Sequence, residues 1–235
     1  TQLALANYVK RIIELKKARY MWFKIWNYWQ TTMKNSETTL QDILLQDLNY
    51  LRYRKIEDLW SIKATVYPES KSELLAKSFE DFEVIGNERT LKIYGVLENT
   101  YELIEEIIFA DEKLMRVIYA SIHSLLESIS NLSTLSQLFQ KTKIPLIRPN
   151  EKRNTINILL RVEDEFKSWR VKENLTTTIP SDIIEIDNEI NNLVTKVDSS
   201  VFKLYGLNEN EAKVILDSLR IKPTYRDRVL KQFKD

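Results

Sequence analysis

Apolar side chains recur at steps of three and four along most of this chain, the spacing of one buried helix face, and the period changes to two over a stretch near its middle. Residues 3–34 contain no proline or glycine and are predicted as one long helix. Leu5, Tyr8, Val9, Ile12, Ile13 and Leu15 give its first half an ordinary apolar face. Residues 20–29 are apolar nearly all round, which predicts burial on every side, between two layers or against a domain outside this chain. Ser36 is expected to cap a second helix carrying Leu40, Ile43, Leu44, Leu48, Leu51, Ile56 and Leu59, broken once before Trp60. Pro68 stops helical structure, and a short helix is expected near 74–76.

The alternating stretch follows. Phe82 and Val84, then Gly86–Asn87, then Leu91 and Ile93 predict a β-hairpin turning at Gly86–Asn87. Residues 101–109 suit a third strand or a helix. Asp111 opens an amphipathic helix with Leu114, Met115, Ile118, Tyr119, Ile122, Leu125, Leu126 and Ile129 on one stripe. Residues 133–156 hold a short helix and then an irregular segment with Pro145 and Pro149. Asn154 or Thr155 is expected to cap the next helix, with Ile158, Leu159, Val162, Phe166 and Trp169, ending near Asn174.

The strongest punctuation lies at 179–219. Pro180, Ser181 and Asp182 mark a helix start, and Ile183, Ile186, Ile190, Leu193, Val197, Val201 and Leu204 form a near-heptad stripe. Gly206 is placed to end the helix in the left-handed conformation, with Leu207 folding back on the last turn. Asn208 and Glu211 then form a capping box for a helix reaching Leu219, and residues 224–233 add a last small one. The fold class is therefore mainly α: a long antiparallel helix pair and a helical bundle with a small β-hairpin. Its expected divisions are a helical arm at 1–62, a hairpin-plus-helix subdomain with a basic loop at 63–150, and C-terminal helices at 151–235 that pack back on the first helix.

Composition narrows the chemistry more than it identifies it. The 235 residues are 43% hydrophobic, enough for a sizeable core, and only three are glycine, which disfavours phosphate-cradling loops. Lys plus Arg number 35 against 34 acids, so bulk charge says nothing about nucleic acid. With no cysteine and the single His123 beside an apolar stripe, thiolate, metal-cluster and Ser/His or Cys/His chemistry have almost nothing to use, and His123 reads as structural. Glu-x-Lys spacings occur at 14–16, 69–71, 165–167 and 211–213, about what a chain this charged produces by chance. There is no Pro-Pro pair for a methyltransferase tetrad and no P-loop, so the chain reads as non-catalytic, with no cofactor of its own. No run is long and apolar enough to span a bilayer, and a cytoplasmic protein is expected.

Two basic stretches are candidates for phosphate contact. Residues 133–156 carry Lys141, Lys143, Arg148, Lys152 and Arg153 against the single acid Glu151, with Asn150 and Asn154 able to reach phosphates or purine edges. The first helix offers Lys10, Lys16 and Lys17, with Arg11, Arg19 and Lys24, interleaved with aromatics and opposed by Glu14. Both patterns also suit a solvated surface.

Glu185, Ile186, Asp187, Glu189, Ile190, Leu193, Val194, Phe202, Leu204, Tyr205, Gly206, Leu207, Glu209 and Glu211 form a pattern that resembles the C-terminal region of type IIG restriction–modification enzymes. These are single chains joining an adenine methyltransferase, a nuclease and a DNA-recognition region. Val9, Ile12, Ile13, Glu14, Leu15, Lys16 and Lys17 fit the family's helix that follows the methyltransferase and pairs with the I-D-x-E-I helix. The K-T-x-x-P-x-x-x-P-N-x-x-R-N-T stretch is similar to a recurrent form in such chains. The resemblance implies a C-terminal piece of a longer chain that begins here at Thr1, a partnership with double-stranded DNA and with a methyltransferase domain of the same chain, and S-adenosylmethionine as the parent enzyme's cofactor. The other expectation is a helical protein-interaction scaffold anchored by Trp22, Trp26 and Trp29.

Overall fold

A computed structural model describes residues 2–32, 39–41, 54–56, 60–64, 76–97, 100–109, 111–129, 131–144, 152–219 and 221–233. In chain order the helices and strands are α1 (Gln2–Thr32), β1 (Arg54–Ile56), β2 (Trp60–Ala64), β3 (Asp81–Asn87), β4 (Thr90–Leu97), β5 (Thr100–Phe109), α2 (Glu112–Ser128), α3 (Leu135–Lys141), α4 (Lys152–Lys172), α5 (Ile183–Leu204), α6 (Glu209–Ser218) and α7 (Pro223–Lys231). The fold is mainly helical with a small antiparallel β part, as the periodicity predicts. Two compact units divide it: Thr1–Trp22 with Glu98–Tyr101 and Phe166–Asp235, and Phe23–Leu97 with Glu102–Glu165.

The first unit is built from α1 up to Trp22, the end of α4 and α5 to α7. Arg11 grips Glu189 with two hydrogen bonds, 2.7 Å from Nε to Oε1 and 3.0 Å from Nη2 to Oε2. Arg19 Nε reaches Asp187 Oδ1 at 2.5 Å. Both carboxylates belong to the I-D-x-E-I segment, so these two ion pairs tie α1 to the start of α5. Asp187 is buried, so Arg19 is the charge that makes its burial tolerable.

The ends of α5 and α6 are closed as their sequences dictate. Asp182 accepts from the Ile184 amide as N-cap, and Asn208 and Glu211 exchange the two hydrogen bonds of a capping box. Gly206 sits at φ 73°, Leu207 N–H reaches Phe202 O, and Gly206 N–H reaches Lys203 O, the paired bonds of a Schellman ending. The buried face of α5 differs from the expected stripe at its far end. Ile183, Ile186 and Ile190 are buried, but so are Thr195 and Ser199, while Leu204 is 52% exposed.

The second unit holds a five-stranded sheet in the order β1-β2-β5-β4-β3, with α2 against β3 and β4. This corrects one expectation and decides another. Arg54–Ile56 is a strand where the sequence predicts a helix running on to Leu59, and Trp60–Ala64, just past the predicted break, is a second strand. The override comes from pairing partners distant in sequence: β2 lies antiparallel to β5, with Ile62 opposite Phe109. Alternation in Trp60-Ser61-Ile62-Lys63-Ala64 is the local trace of it. Residues 101–109, open between strand and helix in sequence, are strand. Phe109 N–H bonds Arg89 O and Lys92 pairs with Glu106, an antiparallel β4–β5 register.

The hairpin forms, but it turns at Glu88–Arg89 with Glu88 at φ 49°, two residues beyond the expected Gly86–Asn87. The inward alternation Phe82, Val84, Gly86 continues to Gly86, which pairs with the buried Leu91. The glycine that reads as a turn is a core position made small. Gly95, opposite Phe82, is likewise interior: a Cβ there would stand 2.2 Å from the Phe79 ring and 2.7 Å from Ile104.

Asp111 caps α2 through the Lys113 amide, and Leu114, Met115, Ile118, Tyr119 and Ile122 are buried as expected. In α1, Trp22, Phe23 and Trp26 are buried, whereas Tyr20 and Tyr28 are 69% and 60% exposed, so the aromatic band is not enclosed on all sides. The expected Ser36 cap, the helix residues Ile43, Leu44, Leu48, Leu51 and Leu59, the Pro68 stop and the helix start at Leu74 lie outside the described residues.

Candidate functional site

Basic side chains become a site only where the backbone fixes them, and the segment leaving α3 does this. Thr134 and Gln137 close the start of α3 with a capping box. At its other end the exposures alternate: Lys141 and Lys143 are exposed while Thr142 and Ile144 are buried. Thr142 Oγ1 donates to Leu138 O at 2.7 Å, and Thr142 O accepts from Leu40 N–H at 2.8 Å. Lys143 forms a bridge with Thr39, and its carbonyl accepts from Gln30 Nε2 at 3.1 Å. The backbone of 141–144 is therefore held from three sides, and its alternation presents the two lysines outward.

Lys152, Arg153 and Asn154 do not lie on a loop. They occupy the first turn of α4, which corrects the expected cap at Asn154 or Thr155: the helix starts at Lys152, three residues after Pro149. Asn and Thr favour cap positions but are tolerated in a first turn, where amides have no intrahelical acceptor to lose. That turn has no acidic residue. Cations at a helix N-terminus oppose the helix dipole, and an anion would relieve this. Arg148 and Asn150 lie outside the described residues.

The first-helix lysines belong to the other compact unit. Lys10 and Lys16 are exposed. Lys17 is exposed too but is engaged, 2.8 Å from Glu173 Oε2 and 6.0 Å from the Trp169 ring centroid. It is a weaker phosphate candidate than its neighbours, although an exposed pair of this kind yields readily to another anion.

A pair on α4 escaped the sequence reading. Asn157 and Arg161 are exposed one turn apart, opposite the buried Ile158, Leu159, Val162 and Phe166. The Arg161 guanidinium lies over the Trp29 ring, 5.0 Å from its centroid, and Trp29 Nε1 donates to Glu165 Oε1 at 3.0 Å. The available signal was helical phase: Asn154, Asn157 and Arg161 share a face at steps of three and four.

Of the Glu-x-Lys spacings, 14–16 is on α1, 165–167 on α4 and 211–213 on α6; the fourth, 69–71, lies outside the described residues. Side chains two apart on a helix do not face each other, so none of these three assembles a nuclease-like set. Among the described residues no group of three His, Asp or Glu side chains could hold a metal ion. His123 packs against Tyr119, with ring centroids 4.2 Å apart, and its Nε2 lies 3.4 Å from Val84 O, the surroundings of a packing residue. Among the described residues no helix is long and apolar enough to cross a membrane.

No family model matches the chain, and neither a curated protein nor a solved structure matches it.

Proposed function

We propose that this chain is the DNA-recognition and connector region of a type IIG-like restriction–modification protein. It binds double-stranded DNA without catalysis of its own. A methyltransferase domain of the same longer chain, using S-adenosylmethionine, would act on the adenine. The observation that carries the reading is the outward alternation of Lys141 and Lys143 on a backbone pinned by Thr142 and Ile144. Two cations fixed in position lose less entropy on meeting phosphates than two on a mobile loop. The first turn of α4 carries Lys152 and Arg153 without an acid and belongs to the same unit. Pairing of Arg11 and Arg19 with Glu189 and Asp187 supports the connector part, because it joins the two segments on which the resemblance rests.

The interaction-scaffold reading loses two of its three anchors: Trp22 and Trp26 are 1% and 0% exposed, and a partner cannot reach them without unfolding the chain. Salt dependence tests the DNA reading directly. Changing Lys141 and Lys143 to Ala, or Lys152 and Arg153 to Ala, should lower duplex affinity alike for all sequences and reduce the slope of log K against log salt by about two. A slope and affinity equal to the parent's in both double variants would remove this surface from the DNA interface, leaving Lys10 and Lys16 on α1 as the next candidates.

A further inference from the structure

Phosphate contacts position a protein on DNA but do not tell one sequence from another. We infer that α4 is the base-reading element of the chain, with Arg161 and Asn157 contacting base edges in the major groove; this rests on the DNA-binding reading above. The argument begins with Arg161. It is exposed, and among the described residues no carboxylate pairs with it, although Glu165 stands one helical turn away. Glu165 instead accepts from Trp29 Nε1, which fixes the indole beneath the guanidinium. A cation over an aromatic face keeps its N–H groups for another partner while losing rotational freedom in advance. Arg is the side chain whose fork matches the O6 and N7 acceptors of guanine, and Asn the one that matches N6 and N7 of adenine.

Position along the helix agrees with that role. Asn157 and Arg161 are separated by about 6 Å of helix rise, close to two base-pair steps of about 3.4 Å. Toward the N-terminus the helix begins with Lys152 and Arg153, cations suited to the flanking phosphates. Toward the C-terminus the same surface turns acidic at Asp164 and Glu165, both exposed. Charge thus limits a DNA contact to the first half of α4, the geometry of a helix whose N-terminal residues enter the major groove. Duplex RNA is disfavoured, because its major groove is too narrow for side chains to read.

The test is selection from a randomised duplex DNA pool by the 235-residue chain and by Asn157→Ala, Arg161→Lys and Arg161→Ala. Each change is at an exposed site, and thermal melting checks that each variant folds. Arg161→Lys keeps the charge and loses the fork, so it should relax preference at one base pair by about 5- to 150-fold with the salt slope unchanged. Asn157→Ala should relax a different position, about two base pairs away. Parent binding with a base preference that all three variants keep would overturn the assignment to α4 and leave the DNA reading standing. No salt-dependent DNA binding by the parent, or equal competition by duplex RNA, would overturn both.

Discussion

The helical run from Ile183 to Ser218 and the five-stranded sheet are stabilised by contacts of different range. In the run, Asp182, Gly206, Asn208 and Glu211 close helix ends lying within a few residues of themselves. In the sheet, Ile62 meets Phe109, and Gly95 must stay small because Phe79 lies over it. Short-range signals act in any chain that contains them. Long-range pairing depends on loop closures whose entropy cost only the assembled sheet repays. The helical run should accordingly fail through its buried face or its caps, and the sheet through its interlocking shapes.

Ile190 is the sharpest place to break the first of these. It is 8% exposed at the centre of the α5 face, next to the buried Asp187. Ile190→Asp adds a second carboxylate there, one turn from Asp187, whose charge Arg19 already balances. The expected loss is roughly 3–5 kcal/mol, the cost of an uncompensated buried charge. Urea denaturation measures it; a variant melting within a degree or two of the parent would mean the stripe is not buried.

Two glycines sharpen the contrast at smaller cost. Gly95→Ala forces its methyl into the Phe79 ring and should cost about 1–3 kcal/mol by overpacking. Gly206→Ala meets nothing within 4 Å, so its cost is the left-handed backbone alone, about 1 kcal/mol. Shrinking the neighbour separates the mechanisms. Phe79→Leu combined with Gly95→Ala should cost less than the sum of the two single changes, because the ring that clashes is gone. Strict additivity would show that Gly95 is held by its backbone rather than by its neighbour.

The same difference in range accounts for what could be read in the sequence. Asp111, Asp182, Gly206, Asn208 and Glu211 act on their own helix ends, so residue type and spacing were enough to place them. Trp60–Ala64 alternates, but five residues of alternation have no meaning until β5 is there to pair with. Gly86 carries an ambiguous signal: a glycine before an asparagine suits a tight turn and equally suits the strand position facing Leu91, and only the register decides. The site follows the same rule. Lys141 and Lys143 stood out in sequence as basic residues of a segment with a single acid, and their outward alternation with Thr142 and Ile144 is a feature of the structure. Helical phase puts Arg161 on one face with Asn157, but what holds its guanidinium is Trp29, far back in the sequence on α1, and no local spacing shows that.

Tyr225 gives the smallest effect and the one with a pH signature. It belongs to α7, and its hydroxyl donates to Asp198 Oδ2 of α5 at 2.5 Å, a link neither helix's own spacing announces. Burial comes first, then the Asp198 hydrogen bond and charge, in raising the phenol above its ordinary value. The unfolded phenol ionises near pH 10, and the folded one ionises higher. The protonated phenol therefore contributes its full stability below about pH 10, and that contribution is lost as pH rises from there through the folded value. Tyr225→Phe removes the hydrogen bond and should cost about 1 kcal/mol at neutral pH. It also removes the titration, so the stability gap between parent and variant should narrow as pH passes about 10. Urea denaturation of the pair between about pH 8 and pH 11 reads that gap. A gap that stays constant across the range would mean that the phenol keeps its ordinary ionisation, and that α5 and α7 meet through packing alone.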